Sequence, residues 1–468
     1  MAQSIVLFEL TATEALQLLS NGTITVEEYA RSLLGRIEER GDTVKAWAYL
    51  DPDLVLSEAR RLDQIPLEQR GPLHGVPVGI KDVMDTKDMP TEYGSPIFKG
   101  HRPSCDASSV AILRAAGALI FGKTTTTEFT VTNSGPETTN PHDPNRTPGG
   151  SSCGSAAAVA DLQVPLSLGV QTGGSVIRPA SYTGTFAMKP SHNAISPDGQ
   201  TTFSISFDTI GFFARSVEDL GLIADIYSIK DDDPPEDIPL KEVSVALVKT
   251  PFWSKAGEGT IAAVEQASTI LRSHGVTVEE VSLPPDIDNE QSLARLQKVI
   301  TSGEARVAFL RVYRQDKAKL APQVRRLVEN FNNFSHKERL EALDRYGSIR
   351  SKVDEIAAKY TVILTPSAVD EAPVGLDDMG SPIFNTLWTG LHMPVVNLPA
   401  FKGEHGMPIG VSLVAGRFRD QHLLNVAKVL AEPLMAEGGW RTRPDLVAND
   451  NAVAGPGPDD KAGEDHKL

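Results

Sequence analysis

Cysteine is nearly absent from this chain. Its 468 residues include two, Cys105 and Cys153, too few for a disulfide framework or a structural zinc site. No H-E-x-x-H pattern occurs among the histidines, which excludes a zincin helix. No run of ~18 apolar residues occurs, so nothing predicts a membrane span. The opening MAQSIVLFEL has a short apolar run with no basic flank, interrupted by Glu9, so no leader is expected and the predicted compartment is the cytoplasm. Positive charge is also short: 45 basic against 61 acidic residues leave a net charge of −16. That balance argues against a broad phosphate-binding surface, so no nucleic-acid partner is expected. The phosphate-binding patterns G-x-x-x-x-G-K-[ST] and G-x-G-x-x-G are missing too.

What remains is ordinary globular composition, 40% hydrophobic and 23% charged. The chain is long enough to bury a large core without staples. Two capped helices open it. Thr11 with Glu14 and Thr25 with Glu28 each have capping-box spacing, and Gly22 is placed to end the first. Short apolar runs bounded by glycine then alternate with helical periodicity. Strands are predicted at 76–80, 118–121, 164–170, 243–248, 276–281, 362–364 and 409–414. Helices are predicted at 109–116, 155–160, 261–273 and 423–430, and beyond Ser216, whose partner Asp219 lies three residues on. Residues 290–359 read as almost wholly helical. The alternation predicts an α/β architecture around a buried sheet. Residues 1–440 read as one domain and 441–468, rich in Pro, Gly and Asp, as a disordered polar tail.

The chemistry-bearing segment is 146–180. Two Gly-Gly-Ser turns, at Gly149–Ser151 and Gly173–Ser175, lie 24 positions apart (175 − 151). Paired glycines let a backbone approach a ligand and present consecutive N–H groups. Ser151, Ser152, Ser155 and Ser175 add hydroxyls, and Lys81 ends an apolar strand, where a lysine is partly desolvated. Each feature has an ordinary reading as well: Gly-Gly-Ser is common in loops, and a strand-end lysine is usually a solvated charge. A sharper competitor is Gly150-Ser-Ser152-Cys-Gly154, which fits the G-x-S-x-G nucleophile elbow. An elbow must follow a strand, and the ten residues 140–149 contain three prolines, which no central strand accommodates.

At these positions the sequence resembles the amidase signature family, whose members include fatty-acid amide hydrolases and A subunits of glutamyl-tRNA amidotransferases. Gly75-Val-Pro-Val-Gly-Ile-Lys81-Asp82 resembles the family's strand-end lysine pattern. Gly122-Lys-Thr-Thr-Thr-Thr-Glu-Phe129, Gly149-Gly-Ser-Ser-Cys-Gly-Ser155, Thr172-Gly-Gly-Ser175, Asp208-Thr-Ile-Gly-Phe-Phe-Ala-Arg-Ser-Val-Glu-Asp219, Gly390–Pro399 and Met407–Val414 resemble further motifs, in order across residues 10–435.

The resemblance implies an α/β/α sandwich around a large mixed sheet and a Ser–cis-Ser–Lys triad. Ser175 would be the nucleophile, Ser151 the bridging serine after a cis peptide bond from Gly150, and Lys81 the base. Thr172, Gly173, Gly174 and Ser175 would form the oxyanion hole, next to Ser151, with Ser152 in support. It implies hydrolysis of a small-molecule amide with no metal and no cofactor. The lack of a basic amphipathic cap disfavours a membrane-borne lipid amide. Two alternatives stay open: the glutaminase-like A subunit of a tRNA-dependent amidotransferase, and a non-catalytic scaffold. Monomer and homodimer are equally open. Cys153, where the family has glycine, reads as a buried filler. Gln171, where many members have Asp, and Arg178, one position later than the usual Arg, leave the inner support of the nucleophile turn open.

Overall fold

A computed structural model describes residues 5–285, 287 and 289–441. Apart from Arg441, the expected tail at 441–468 lies outside the described residues.

The first two helices begin where the caps placed them. Thr11 and Thr25 each accept from the backbone three residues on, and Glu14 and Glu28 reach back to the cap amides. Ser216 caps the helix Val217–Ile226. Asp219 does more than its spacing suggests: its carboxylate accepts the amides of Ala12 and Thr13 at 3.0 and 2.8 Å, so it satisfies the first turn of a helix some 200 residues away.

Eleven strands form one sheet: β1 (Trp47–Tyr49), β2 (Pro77–Lys81), β3 (Leu119–Thr124), β4 (Leu166–Gln171), β5 (Phe186–Lys189), β6 (Thr209–Ala214), β7 (Ser244–Leu247), β8 (Thr277–Glu280), β9 (Val362–Pro366), β10 (Val395–Lys402) and β11 (Pro408–Val414). Their order is β1-β3-β2-β4-β6-β5-β10-β11-β9-β7-β8. The triplets β3-β2-β4 and β9-β7-β8 are parallel, whereas the steps from β4 through β9 are antiparallel. Every residue of β2 to β6, β9 and β11 is buried, as expected of strands covered by helices on both faces. This is the mixed-sheet α/β architecture that the resemblance implied.

Four strands were not legible as strands, among them the three-residue edge strand β1. β10 contains Pro399, which falls in the register irregularity between Leu398 and Phe401; a bulge is where a sheet tolerates a residue without an N–H. β5 and β6 lie inside motifs with no clear period. β3 also runs past the expected end at Phe121 to Thr124. Lys123 can be buried there because its ammonium lies 3.0 Å from the Asp82 carboxylate and 2.6 Å from the Thr91 hydroxyl.

Candidate active site

The register sets the site. β2 and β4 are parallel neighbours, with Val78 opposite Leu166 and Ile80 opposite Leu168. Their carboxyl ends therefore open on the same side, where ligands gather in parallel sheets. Lys81 ends β2, and the turn Thr172–Ser175 follows β4 directly. The other Gly-Gly-Ser turn, Gly149–Ser151, leads into the helix Cys153–Ala160. It is preceded by turns and isolated bridges, not by a strand, so the elbow geometry is absent. The peptide bond between Gly150 and Ser151 is cis. Gly149 has φ +83°, a left-handed conformation that favours glycine, and a Cβ on Gly150 would collide with the Met379 sulfur.

Lys81 is fully buried. Its ammonium nitrogen lies 2.7 Å from Ser151 Oγ and 3.0 Å from Ser152 Oγ. Burial pushes its pKa down from 10.5 to about 7, because a low-dielectric interior disfavours the charged form. Ser152 also lies 3.4 Å from the Val170 carbonyl and amide, so its hydroxyl is held among Lys81 and the end of β4. Ser155 turns away, donating to the Leu168 carbonyl at 2.8 Å and meeting Thr124 Oγ1 at 2.7 Å. It ties helix to sheet and is not part of the cluster. Cys153 is buried, its thiol pushed up to about 11 by desolvation, which leaves essentially no thiolate at neutral pH.

The turn Thr172–Ser175 is held by its carbonyls and leaves its amides free. The Thr172 carbonyl faces Gln297 Nε2 at 3.4 Å, the Gly173 carbonyl accepts from Thr389 Oγ1 at 2.8 Å, and the Gly174 carbonyl accepts the Arg178 amide at 3.0 Å. The amides of Thr172, Gly173, Gly174 and Ser175 donate to no group among the described residues. Unpaired N–H groups beside a cavity can receive developing negative charge. Ser175 and the two glycines line a cavity of about 750 Å³. No hydrogen bond joins Ser175 to Ser151 among the described residues.

Gln171 and Arg178 supply the inner support that the sequence left open, and they do so separately. Gln171 Oε1 accepts the amides of Val176 and Ile177 at 2.9 and 3.0 Å, and its Nε2 donates to Thr389 Oγ1 at 2.9 Å. A neutral amide thus holds the start of the helix Ile177–Thr183 and, through Thr389, the Gly173 carbonyl. Arg178 donates to the Gly150 carbonyl at 2.6 Å and to the Gly380 carbonyl, bracing the cis bond from outside. Gln171→Ala strands two buried amides and the Thr389 hydroxyl. It is expected to lower stability by about 2–4 kcal/mol, read as a lower urea midpoint at unchanged slope.

Sequence reasoning missed three contributors. Asp208 is buried beneath the turn. One oxygen accepts the Thr172 hydroxyl and the other the amides of Phe203 and Ser204 at 2.7 and 3.1 Å. Desolvation pushes its pKa up to about 6. Its signal was present, since it opens the Asp208-Thr-Ile-Gly run. Thr389 and Gln297 gave none, because they reach the turn only through tertiary packing.

The Amidase family profile matches residues 28–424. The A subunit of glutamyl-tRNA(Gln) amidotransferase from Chloroflexus aurantiacus is 37% identical over 300 residues, 59% of this chain and 61% of that one. The chain therefore aligns with less than two thirds of that relative's length. The corresponding subunit from Chloroflexus aggregans is 30% identical over 487 residues, covering 94% of this chain and 98% of its own. A solved amidase structure is 28% identical and superposes with a TM-score of 0.80, covering 90% of this chain and 99% of its own.

Proposed function

Because the chain belongs to the amidase family, we propose that it hydrolyses the C–N bond of a small-molecule carboxylic acid amide, giving an acid and an amine or ammonia. The observation that carries this reading is a buried lysine, its pKa lowered to about 7, 2.7 Å from the Ser151 hydroxyl and beside a turn with four free amides.

A serine hydroxyl needs a neighbouring base to attack a carbonyl. Neutral Lys81 takes the Ser151 proton as Ser151 takes that of Ser175, and Ser175 Oγ adds to the amide carbon. The carbonyl oxygen becomes an oxyanion received by the free amides of Thr172–Ser175; one such donor is worth ~3–4 kcal/mol in comparable sites. The proton returns through Ser151 to the leaving nitrogen, the C–N bond breaks and an ester on Ser175 remains. Water then attacks that ester by the same relay and releases the acid. The relay requires a hydrogen bond between Ser175 and Ser151 to form when substrate enters, since catalytic hydrogen bonds often tighten only in the complex.

A second reading is favoured by the curated relatives: an amidotransferase subunit that releases ammonia from glutamine for a partner. The two readings separate on the purified chain alone. The amidase reading predicts ammonia or amine release from simple amides without a partner. Turnover only after addition of partner subunits supports the second reading, and none in either case contradicts both.

A further inference from the structure

The charge lining the cavity is opposite to that of the chain. The protein carries 61 acidic and 45 basic residues, yet the cavity wall contains Lys298, Arg326 and Arg178 and, among the described residues, no aspartate or glutamate. Arg178 is committed to the carbonyls of Gly150 and Gly380. Lys298 and Arg326 are not: neither has a carboxylate within 4 Å among the described residues. Their neighbours differ. Arg295, on the same helix as Lys298, is paired with Glu338, and Arg339 with Glu304. The Arg326 guanidinium rests 4.9 Å from the centroid of Phe331, another wall residue, and such a contact limits its freedom without neutralising it. The same wall that holds these cations and Ser175 also carries the apolar side chains of Phe203, Phe252, Leu327, Met379, Pro382 and Ile383.

We infer that the cavity takes amides whose apolar body ends in a carboxylate, met by Lys298 and Arg326. The inference rests on the amidase reading. An apolar wall favours a hydrocarbon or aryl spacer. Two unpaired cations with no nearby acid raise the local concentration of anions and repel amines. A substrate bearing a free ammonium finds no carboxylate in the wall to pair with it. Both cations are solvated, so the preference they give is modest: about tenfold in kcat/KM, or about 1.4 kcal/mol.

Two matched comparisons test this, one for each side of the scissile bond. On the acyl side, adipamic acid is compared with hexanamide. On the leaving side, N-acetyl-para-aminobenzoate is compared with acetanilide. The expected result is a kcat/KM about tenfold higher for the anion in at least one pair at low salt, falling toward parity in about 0.5 M salt. In K298E/R326E the same ratio falls below one. A ratio at or below one in both pairs, or a ratio unchanged in the double variant, overturns the inference while leaving the amidase reading intact. If no amide is turned over, the amidase reading fails. Calorimetric binding to S175A then decides the charge question alone: tighter binding of adipamate than of hexanamide supports it, and equal binding overturns it.

Discussion

Lys81→Ala is expected to lower kcat/KM at least about a thousandfold, the upper part of the range for a positioned general base, while the chain stays folded. Lys81→Arg should fail equally, since a guanidinium remains protonated at any working pH and cannot accept the Ser151 proton. The structure separates this loss from unfolding. Lys81 makes no ion pair among the described residues and is desolvated at the end of β2. Between about pH 10.5 and about pH 7 the unfolded chain binds a proton at this lysine that the folded chain does not. The folded state therefore loses stability as pH falls through that window and loses no more from this group below it. Lys81→Met removes that penalty, so its urea midpoint should depend less on pH across the window. Turnover within tenfold of the native chain by a folded Lys81→Ala would contradict the base assignment.

The second large effect is the acid limb of the pH profile. With Lys81 at about 7 in the free enzyme, the neutral fraction falls tenfold per unit below that value, and kcat/KM at pH 5 should be about a hundredth of its alkaline plateau. Asp208 adds to this. Its pKa is raised to about 6, so below that value its carboxylate gains a proton and its acceptor bond to Thr172 weakens. The limb should therefore steepen below about pH 6. Asp208→Asn should remove the steepening and leave the roughly tenfold-per-unit fall below pH 6 that Lys81 alone gives. A profile flat from pH 5 to 8 would mean that no group titrating near neutrality controls the reaction.

More of the candidate site than of the sheet was legible in the sequence. Lys81, Ser151 and Ser175 sit on short glycine-bounded segments whose local chemistry survives without tertiary context, and Lys81 lies within hydrogen-bond distance of Ser151, the pair that the family resemblance implied. Caps at Thr11, Thr25 and Ser216 were readable because they depend on three or four neighbouring residues. β10 was not, because Pro399 argues against a strand until the bulge that accommodates it is seen. The end of β3 was hidden by Lys123, whose burial depends on Asp82 forty-one positions away (123 − 82). Gln171 looked like a loss of support when judged by its missing charge. Its amide instead makes two acceptor contacts and one donor contact, which an aspartate could not all provide. The cavity wall from 294 to 331 carries no motif, since a binding surface is specified by shape and charge in three dimensions.

In the proposed mechanism Ser175 is the residue that becomes acylated. A fluorophosphonate probe followed by peptide mapping tests it directly, since the reagent phosphonylates an activated serine. A single adduct on Ser175 is expected, with labelling lost in Ser175→Ala and retained in Cys153→Gly. An adduct on Ser152 or Cys153, or labelling that persists in folded Ser175→Ala, would contradict it.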